Sequence, residues 1–175
     1  MIEPKINTDY KWYAIYTKSR TEKKVAALLL REQIEVYLPL IKTFRQWSDR
    51  KKWVEEPLIR SYVFVKISEK EYYTVLNTPG ALRYVTFGGK AAPIADWQIK
   101  ALQHIVAGID EYELSNEKFE KGNKIKITTG PMTGVFGEII EIRGNKKFII
   151  RIEQIGCSIL LNLQKETGII KVEDQ

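Results

Sequence analysis

The sequence predicts an α+β protein in two parts: an N-terminal α/β sandwich, in which helices pack on an antiparallel sheet, and a small C-terminal five-stranded β-barrel. Three observations carry this. Upstream of Gly108, stretches rich in aromatic and β-branched residues alternate with stretches whose apolar residues recur at helical spacing. Downstream of Phe119 the apolar period falls to two, in short runs separated by Gly, Asn or Pro. Charge divides at the same place: residues 1–108 hold 18 Lys and Arg against 11 Asp and Glu, a net of +7, whereas residues 109–175 hold 10 against 11, a net of −1. The expected domains are residues 1–108 and 119–175. Between them, residues 109–118 are read as a linker, because "DEYELSNEK" is polar, acidic and without sustained periodicity.

Taken in order, "WYAIYT" has the composition of a strand. "SRTEKKVAALLLREQIEVYLP" follows, with Ser19 and Glu22 at capping-box spacing and Val25, Leu28, Leu29 and Glu32 on one stripe beside Ala27, Leu30 and Ile34. It predicts a helix of roughly four turns ending before Pro39. "IKTFRQWSDRKKWVEEPL" reads as two strands around a polar turn near Ser48 to Arg50. "SYVFVKI" is a strand, "SEKEYYTVLN" a short helix stopped by Pro79 and Gly80, and "ALRYVTF" a further strand. A last helix over Asp96 to Val106 places Ile99, Leu102, Ile105 and Val106 on one side. The strands "KIKIT", "GEIIEI", "KFIIRI", "SILLNL" and "GIIKV" complete the chain, and closing them into a barrel removes exposed edges.

Composition narrows the function. At 175 residues and 44% apolar content the chain can bury a proper core. No run of about 18 apolar residues exists, and the start "MIEPKINTDYKWYAIY" carries charge where a signal peptide needs its apolar centre, so a cytoplasmic protein without a membrane partner is expected. With one cysteine, Cys157, and one histidine, His104, there is no intrachain disulfide and no Cys/His cluster, so neither metal nor cofactor is expected. P-loop, dinucleotide and nucleophile-elbow motifs are absent, and His104 reads as a helix-surface or core-edge residue. The chain is therefore expected to be no enzyme. A basic N-terminal domain attracts polyanions: nucleic acid, anionic lipid or an acidic protein.

Two features point to binding. In "YVFVKI", Val63, Val65 and Ile67 share one face and Tyr62 and Phe64 the other, where Tyr16 can join them. If helices cover the aliphatic face, the rings lie on an open one, and an open apolar face receives a partner. The alternatives are a loop over the rings or reversed faces. Second, Lys18, Arg20, Lys23, Lys24 and Arg31 cluster at the start and along the polar side of the first helix. Arg45, Arg50, Lys51 and Lys52 stand around Trp47 and Trp53, a mixture suited to single-stranded or distorted nucleic acid as well as to plain solvation.

Near the C-terminus, "KIKITTGPMTGVFGEII" combines alternating aliphatics with glycines at 130, 134 and 137 and with Pro131, which supply tight turn dihedrals. The stretch looks like a KOW motif. Together with "WYAIYTKSRTEKKVAALL", "EPLIRSYVFVKI", "NTPGALRYVTFGG" and "APIADWQIKAL", it makes nearly the whole chain resemble the NusG family of transcription elongation factors: an NGN-like N-terminal domain followed by an SH3-like KOW barrel. The resemblance implies that Tyr16, Tyr62 and Phe64, bordered by Ile59, bind the clamp helices of RNA polymerase, and that Glu71, Tyr72 and Tyr73 lie where specialised relatives touch the other side of the cleft. The polar triplet of those relatives is not reproduced here. It further implies that Lys18, Thr21, Lys24 and Arg31 meet the non-template DNA strand, and that Met132, Val135 and Phe136 of the KOW turn contact ribosomal protein S10 or the termination factor Rho.

Arg60-Ser61 stands where the family usually has Pro-Gly. "EPL", "SYVFV" and "YVTFGG" bring the chain closer to the specialised RfaH-like and UpxY-like antiterminators, the latter acting on polysaccharide operons, than to the general factor. RfaH-like proteins can refold the KOW domain into helices. Here Ile- and Val-rich strands with well-specified turns predict a stable barrel. A monomer is expected, and the competing reading is a ribosome-associated KOW protein that binds RNA.

Overall fold

The aromatic strand expected first becomes the centre of a sheet. The computed structural model describes residues 9–46, 51–108, 112–115, 122–130, 132–142, 145–162 and 167–172. The chain divides into two compact units, Met1–Ile94 and Ala95–Gln175. In the first, β1 (Lys11–Thr17) is followed by α1 (Glu22–Arg31), β2 (Glu35–Tyr37), β3 (Leu40–Gln46), β4 (Lys51–Pro57) and β5 (Tyr62–Ile67). Then come a single 3-10 turn (Glu69–Glu71), α2 (Tyr72–Leu76), β6 (Ala81–Tyr84), β7 (Thr86–Phe87), β8 (Lys90–Ala91) and β9 (Pro93–Ile94).

The main sheet runs β2-β5-β1-β6, and β9 also pairs with β1. Antiparallel partners Tyr16↔Tyr62, Ala14↔Phe64 and Trp12↔Lys66 share one face, because residues directly opposite in a ladder point the same way. Ile15, Val63, Val65 and Ile67 take the other face and pack with Val25, Ala26 and Leu29 of α1, with Ile34, Val75 and Tyr84 completing the core.

Helix α1 is shorter than the sequence suggests. Gln33 turns left-handed at φ 61°, and Ile34 N–H donates to Leu29 O at 3.1 Å while Gln33 N–H donates to Leu30 O at 3.1 Å. This is a Schellman closure with glutamine in the position usually held by glycine, and Ile34 provides the buried contact after it. The freed residues form β2. At the other end the Ser19–Glu22 capping box does not form. Thr21 Oγ1 donates to Lys18 O at 2.7 Å, and the buried Glu22 carboxylate accepts the Ser61 backbone N–H at 2.7 Å. Ser61 is itself left-handed at φ 64°, which costs a non-glycine residue about 1–2 kcal/mol. A hydrogen bond to a charged acceptor contributes about 1.5–3 kcal/mol. Glu22 thus holds the bend that Arg60-Ser61 makes in place of Pro-Gly. Gly80 is required beside it: at φ +100°, an added Cβ would lie 2.9 Å from Val25 Cγ2.

In the second unit, α3 (Asp96–Val106) matches its expected bounds and buries Ile99, Ala101, Leu102 and Ile105. The strands β10 (Tyr112–Ser115), β11 (Asn123–Ile127), β12 (Phe136–Ile142), β13 (Asn145–Ile152), β14 (Cys157–Leu161) and β15 (Ile169–Lys171) form one antiparallel sheet in the order β10-β14-β13-β12-β11-β15. Among the described residues there are six strands rather than five: Tyr112–Ser115, inside the stretch read as linker, pairs with β14 from Tyr112↔Leu161 to Ser115↔Ser158. Gly130 and Gly134 adopt the expected positive φ, 84° and 87°. Gly137 serves a different purpose, since an added Cβ would lie 2.4 Å from the buried Phe148 ring. Pro131 lies outside the described residues.

Candidate interaction surface

The sheet face turned away from α1 gathers the rings that the sequence placed together. Tyr16 and Tyr62 meet edge to face, with centroids 5.5 Å apart. The Arg83 guanidinium lies 5.3 Å from the Tyr16 ring centre, held there by the Tyr16↔Arg83 register of β1 and β6. Tyr37 of β2 stands 6.3 Å from Phe64, and Lys66 Nζ lies 5.9 Å from the Trp12 ring. Cations over aromatic faces are attracted by the ring quadrupole.

Exposure along this face is uneven. Tyr16 and Tyr62 are half-buried, whereas Phe64 is 0% exposed and Ile59 8%. Phe64, expected beside Tyr16 and Tyr62 on an open face, is instead buried: it is a central rung flanked by β1 and β2. The Tyr37 hydroxyl is buried with no hydrogen-bond partner among the described residues, and burial pushes its pKa upward. Sequence reasoning missed Tyr37, Arg83 and Lys66. Tyr37 was hidden in the tail of the overlong helix, although the alternation in "EVY" was available as a signal.

Glu71, Tyr72 and Tyr73 separate in role. Burial raises the Glu71 pKa, but hydrogen bonds from Ser68 and Tyr10 outweigh it and hold the carboxyl below its usual value. These bonds run from the Ser68 backbone N–H at 2.8 Å and the Tyr10 hydroxyl at 3.0 Å. Tyr72 stacks on Tyr84 at 4.3 Å and 15°. Tyr73 alone is widely exposed, at 71%.

Among the basic residues, Lys18, Arg20, Lys23, Lys24, Arg31 and Lys52 are exposed, and Thr21 is half-buried. Arg45 and Lys51 occupy backbone positions on β3 and β4. Arg50 and Trp47 lie outside the described residues. A groove of about 710 Å³ is lined by Arg20, Glu22 and Lys23 before and on α1, by Glu56 and Pro57 at the end of β4 and by Arg60 beyond it. Arg60 was not singled out from sequence.

In the second unit, Met132 and Val135 are buried at 4% and 2% exposure, which makes them core residues of the turn. Phe136 is half-buried, with Trp97 of α3 at 5.8 Å and Lys126 Nζ at 5.1 Å. Gln98 Nε2 donates to Arg151 O at 2.7 Å. The Cys157 thiol is buried and pushed up to about 11, which keeps it protonated and unreactive near neutral pH. Among the described residues no group of three or more His, Cys, Asp or Glu side chains is placed to hold a metal ion. No described helix is long and apolar enough to cross a membrane.

Fold and surface define an α+β chain of two units whose first sheet carries rings and cations on the face opposite its main helix. The family described as "Transcription termination factor nusG" matches residues 10–103, more than half of the chain, and the chain belongs to the NusG family. Proteins named transcription termination/antitermination protein NusG from Staphylococcus aureus and Staphylococcus carnosus are 26% identical over 161 residues, spanning 83% of this chain and 87% of theirs. A solved structure of Thermotoga maritima NusG is 26% identical and covers 94% of this chain and 98% of its own, with a TM-score of 0.47.

Proposed function

We propose that this chain is a cytoplasmic transcription elongation and antitermination factor that docks on the clamp helices of RNA polymerase and suppresses pausing or termination. The single observation that supports the docking surface is the cross-strand group Tyr16, Tyr62 and Phe64 on the sheet face opposite α1. Tyr16 and Tyr62 are the half-buried members of this group and Phe64 its fully buried one. Ile59 borders the surface, and Tyr73 lies in the segment proposed to meet the other side of the cleft. We assign residues 1–108 to this polymerase-binding domain, an extent supported by the family match through residue 103, although the compact units divide between Ile94 and Ala95. Lys18, Thr21, Lys24 and Arg31, with Arg20, Lys23 and the ribbon cations, meet the non-template DNA strand. Residues 119–175 form the KOW domain, whose partner is ribosomal protein S10 or Rho, met through Phe136.

The resemblance of "EPL", "SYVFV" and "YVTFGG" to specialised antiterminators supports action on polysaccharide operons. A second reading, a general NusG-type factor, is favoured by relatives that carry the general name at 26% identity. Capture of polymerase core by the full chain, with and without ribonuclease, tests the shared reading. Ribonuclease-resistant capture together with shortened pauses on a defined template is the expected result. Capture that vanishes with RNA points instead to the ribosome-associated reading.

A further inference from the structure

We propose that the outer edge of β14 is a strand-acceptor surface and that β10, its occupant, is a releasable strap. Docked, β10 holds the C-terminal strands on a short tether to α3. Released, it lengthens that tether roughly threefold and leaves the edge to any extended strand of the same alternation. The proposal rests on none of the functional readings above.

Within the second unit β10 is held differently from its neighbours. It lies at one end of the sheet and pairs with β14 alone among the described residues, through Tyr112↔Leu161, Glu113↔Leu160, Leu114↔Ile159 and Ser115↔Ser158. Every residue of β14 is buried, and β13 on its other side buries Phe148, Ile149, Ile150 and Ile152. β10 buries none fully: Tyr112 and Ser115 are half-buried, Glu113 is exposed and Leu114 is 37% exposed. The strap therefore depends on main-chain hydrogen bonds with little apolar burial behind them, the condition for local opening well below the free energy of global unfolding. The edge beneath it is the opposite case. Ile159 and Leu161 share a face with the Leu114 and Tyr112 that stand opposite them. Bared, β14 would present these side chains and unpaired backbone N–H and C=O groups to water, so the edge favours an occupant. A strand with bulky apolar residues two positions apart reproduces what β10 supplies. Strand addition takes its affinity from main-chain bonds and its selectivity from alternate side chains.

The connection to α3 makes release consequential. α3 ends at Val106, and Gly108, left-handed at φ 76°, donates its N–H to Ile105 O at 3.0 Å, which turns the chain out of the helix. With β10 docked, only residues 107–111 separate α3 from the first paired position, a reach of at most about 18 Å. With β10 released, residues 107–122 precede β11 and reach about 58 Å. The direct contact of α3 with the strands surrounds a cleft instead of a packed core. Gln98 Nε2 donates to Arg151 O at 2.7 Å and Trp97 meets Phe136 at 5.8 Å, beside a cleft of about 260 Å³ that both pairs line. Cleft walls without facing atoms forgo dispersion attraction, so the strap adds to an incompletely packed attachment. Because the strap is anchored at both ends, its redocking is intramolecular, and a free strand competes against an effective concentration of about the millimolar range.

The test begins with backbone amide exchange in the full chain. The Tyr112–Ser115 amides should exchange about 100-fold faster than those of Phe148–Ile152. Glu113→Pro/Leu114→Pro breaks the ladder, because one of two adjacent N–H groups points to β14 and proline has none. Tyr112→Ser/Leu114→Ser keeps the donors and removes the apolar contacts, and it decides the matter if the proline variant loses Phe148–Ile152 protection. A labelled peptide of residues 110–117, DEYELSNE, should bind the folded variants roughly tenfold more tightly than the wild-type chain. Spin labels on Gln103→Cys and Lys171→Cys, both at exposed positions and with the native Cys157 buried, should give a narrow distance distribution in the otherwise wild-type chain and a longer, broader one in the variants. Tyr112–Ser115 amides as slow as those of β13 would make β10 a fixed sixth strand and overturn the strap. Folded variants that ignore the peptide overturn the acceptor surface, and unchanged label distances overturn the control of the tether.

Discussion

Two cross-strand aromatic pairs in the first unit have nearly the same geometry and opposite settings. Tyr16–Tyr62 meets edge to face at 5.5 Å inside a sheet, with Phe64 fully buried one rung pair away. Phe44–Trp53 meets edge to face at 5.2 Å on an isolated ribbon, with both rings exposed. Ring contact alone therefore does not decide whether an aromatic pair stabilises the fold or meets a ligand. The layers around the strand decide it: α1 and the central position of β5 make the first pair part of a supported surface, whereas among the described residues the ribbon's strands pair only with each other.

The comparison is broken or sharpened by substitution. Phe64→Ala is expected to cost the fold about 3–5 kcal/mol, the usual loss for a buried phenylalanine, read from a urea midpoint. Glu22→Ala leaves the Ser61 N–H without its acceptor beside a left-handed serine and should cost about 2 kcal/mol, with Glu22→Gln milder because an acceptor remains. Burial raises the pKa values of Tyr37 and Tyr84 above the ordinary 10.0. The folded chain keeps phenol protons that the unfolded chain releases, so this contribution to stability is complete below pH 10 and declines as pH rises above it. Unfolding midpoints measured upward from pH 9 should show that fall. Trp53→Ala should change stability least, by under about 1 kcal/mol, the scale of one exposed cross-strand pair. A Trp53→Ala loss as large as that of Phe64→Ala erases the distinction between the two pairs.

Most elements were legible because their periodicity was strong. α3 came out at its expected bounds, and the faces of "YVFVKI" separated as alternation dictates. The misses share a cause: long-range partners overrode local signals. Gln33 closes α1 in a position where glycine is the readable sign, so β2 and Tyr37 were absorbed into the helix. Glu22 has capping-box spacing but serves Ser61, 39 residues away. Tyr112–Ser115 has no period of its own and becomes a strand because β14 supplies the ladder. At the candidate site, composition located the rings and cations. It did not show that Phe64 is sealed, that Met132 and Val135 are core, or that Arg60 joins the groove, since each depends on which distant residue packs beside it.

The most direct measurement is the affinity of Tyr62→Ala for polymerase core, with folding checked by circular dichroism. Tyr62 is half-buried, so its removal reports on the surface more than on the core. Loss of an aromatic anchor should weaken binding by about 2 kcal/mol, roughly thirtyfold in Kd. Wild-type affinity in the folded variant would contradict the placement of the docking surface on this face of the sheet.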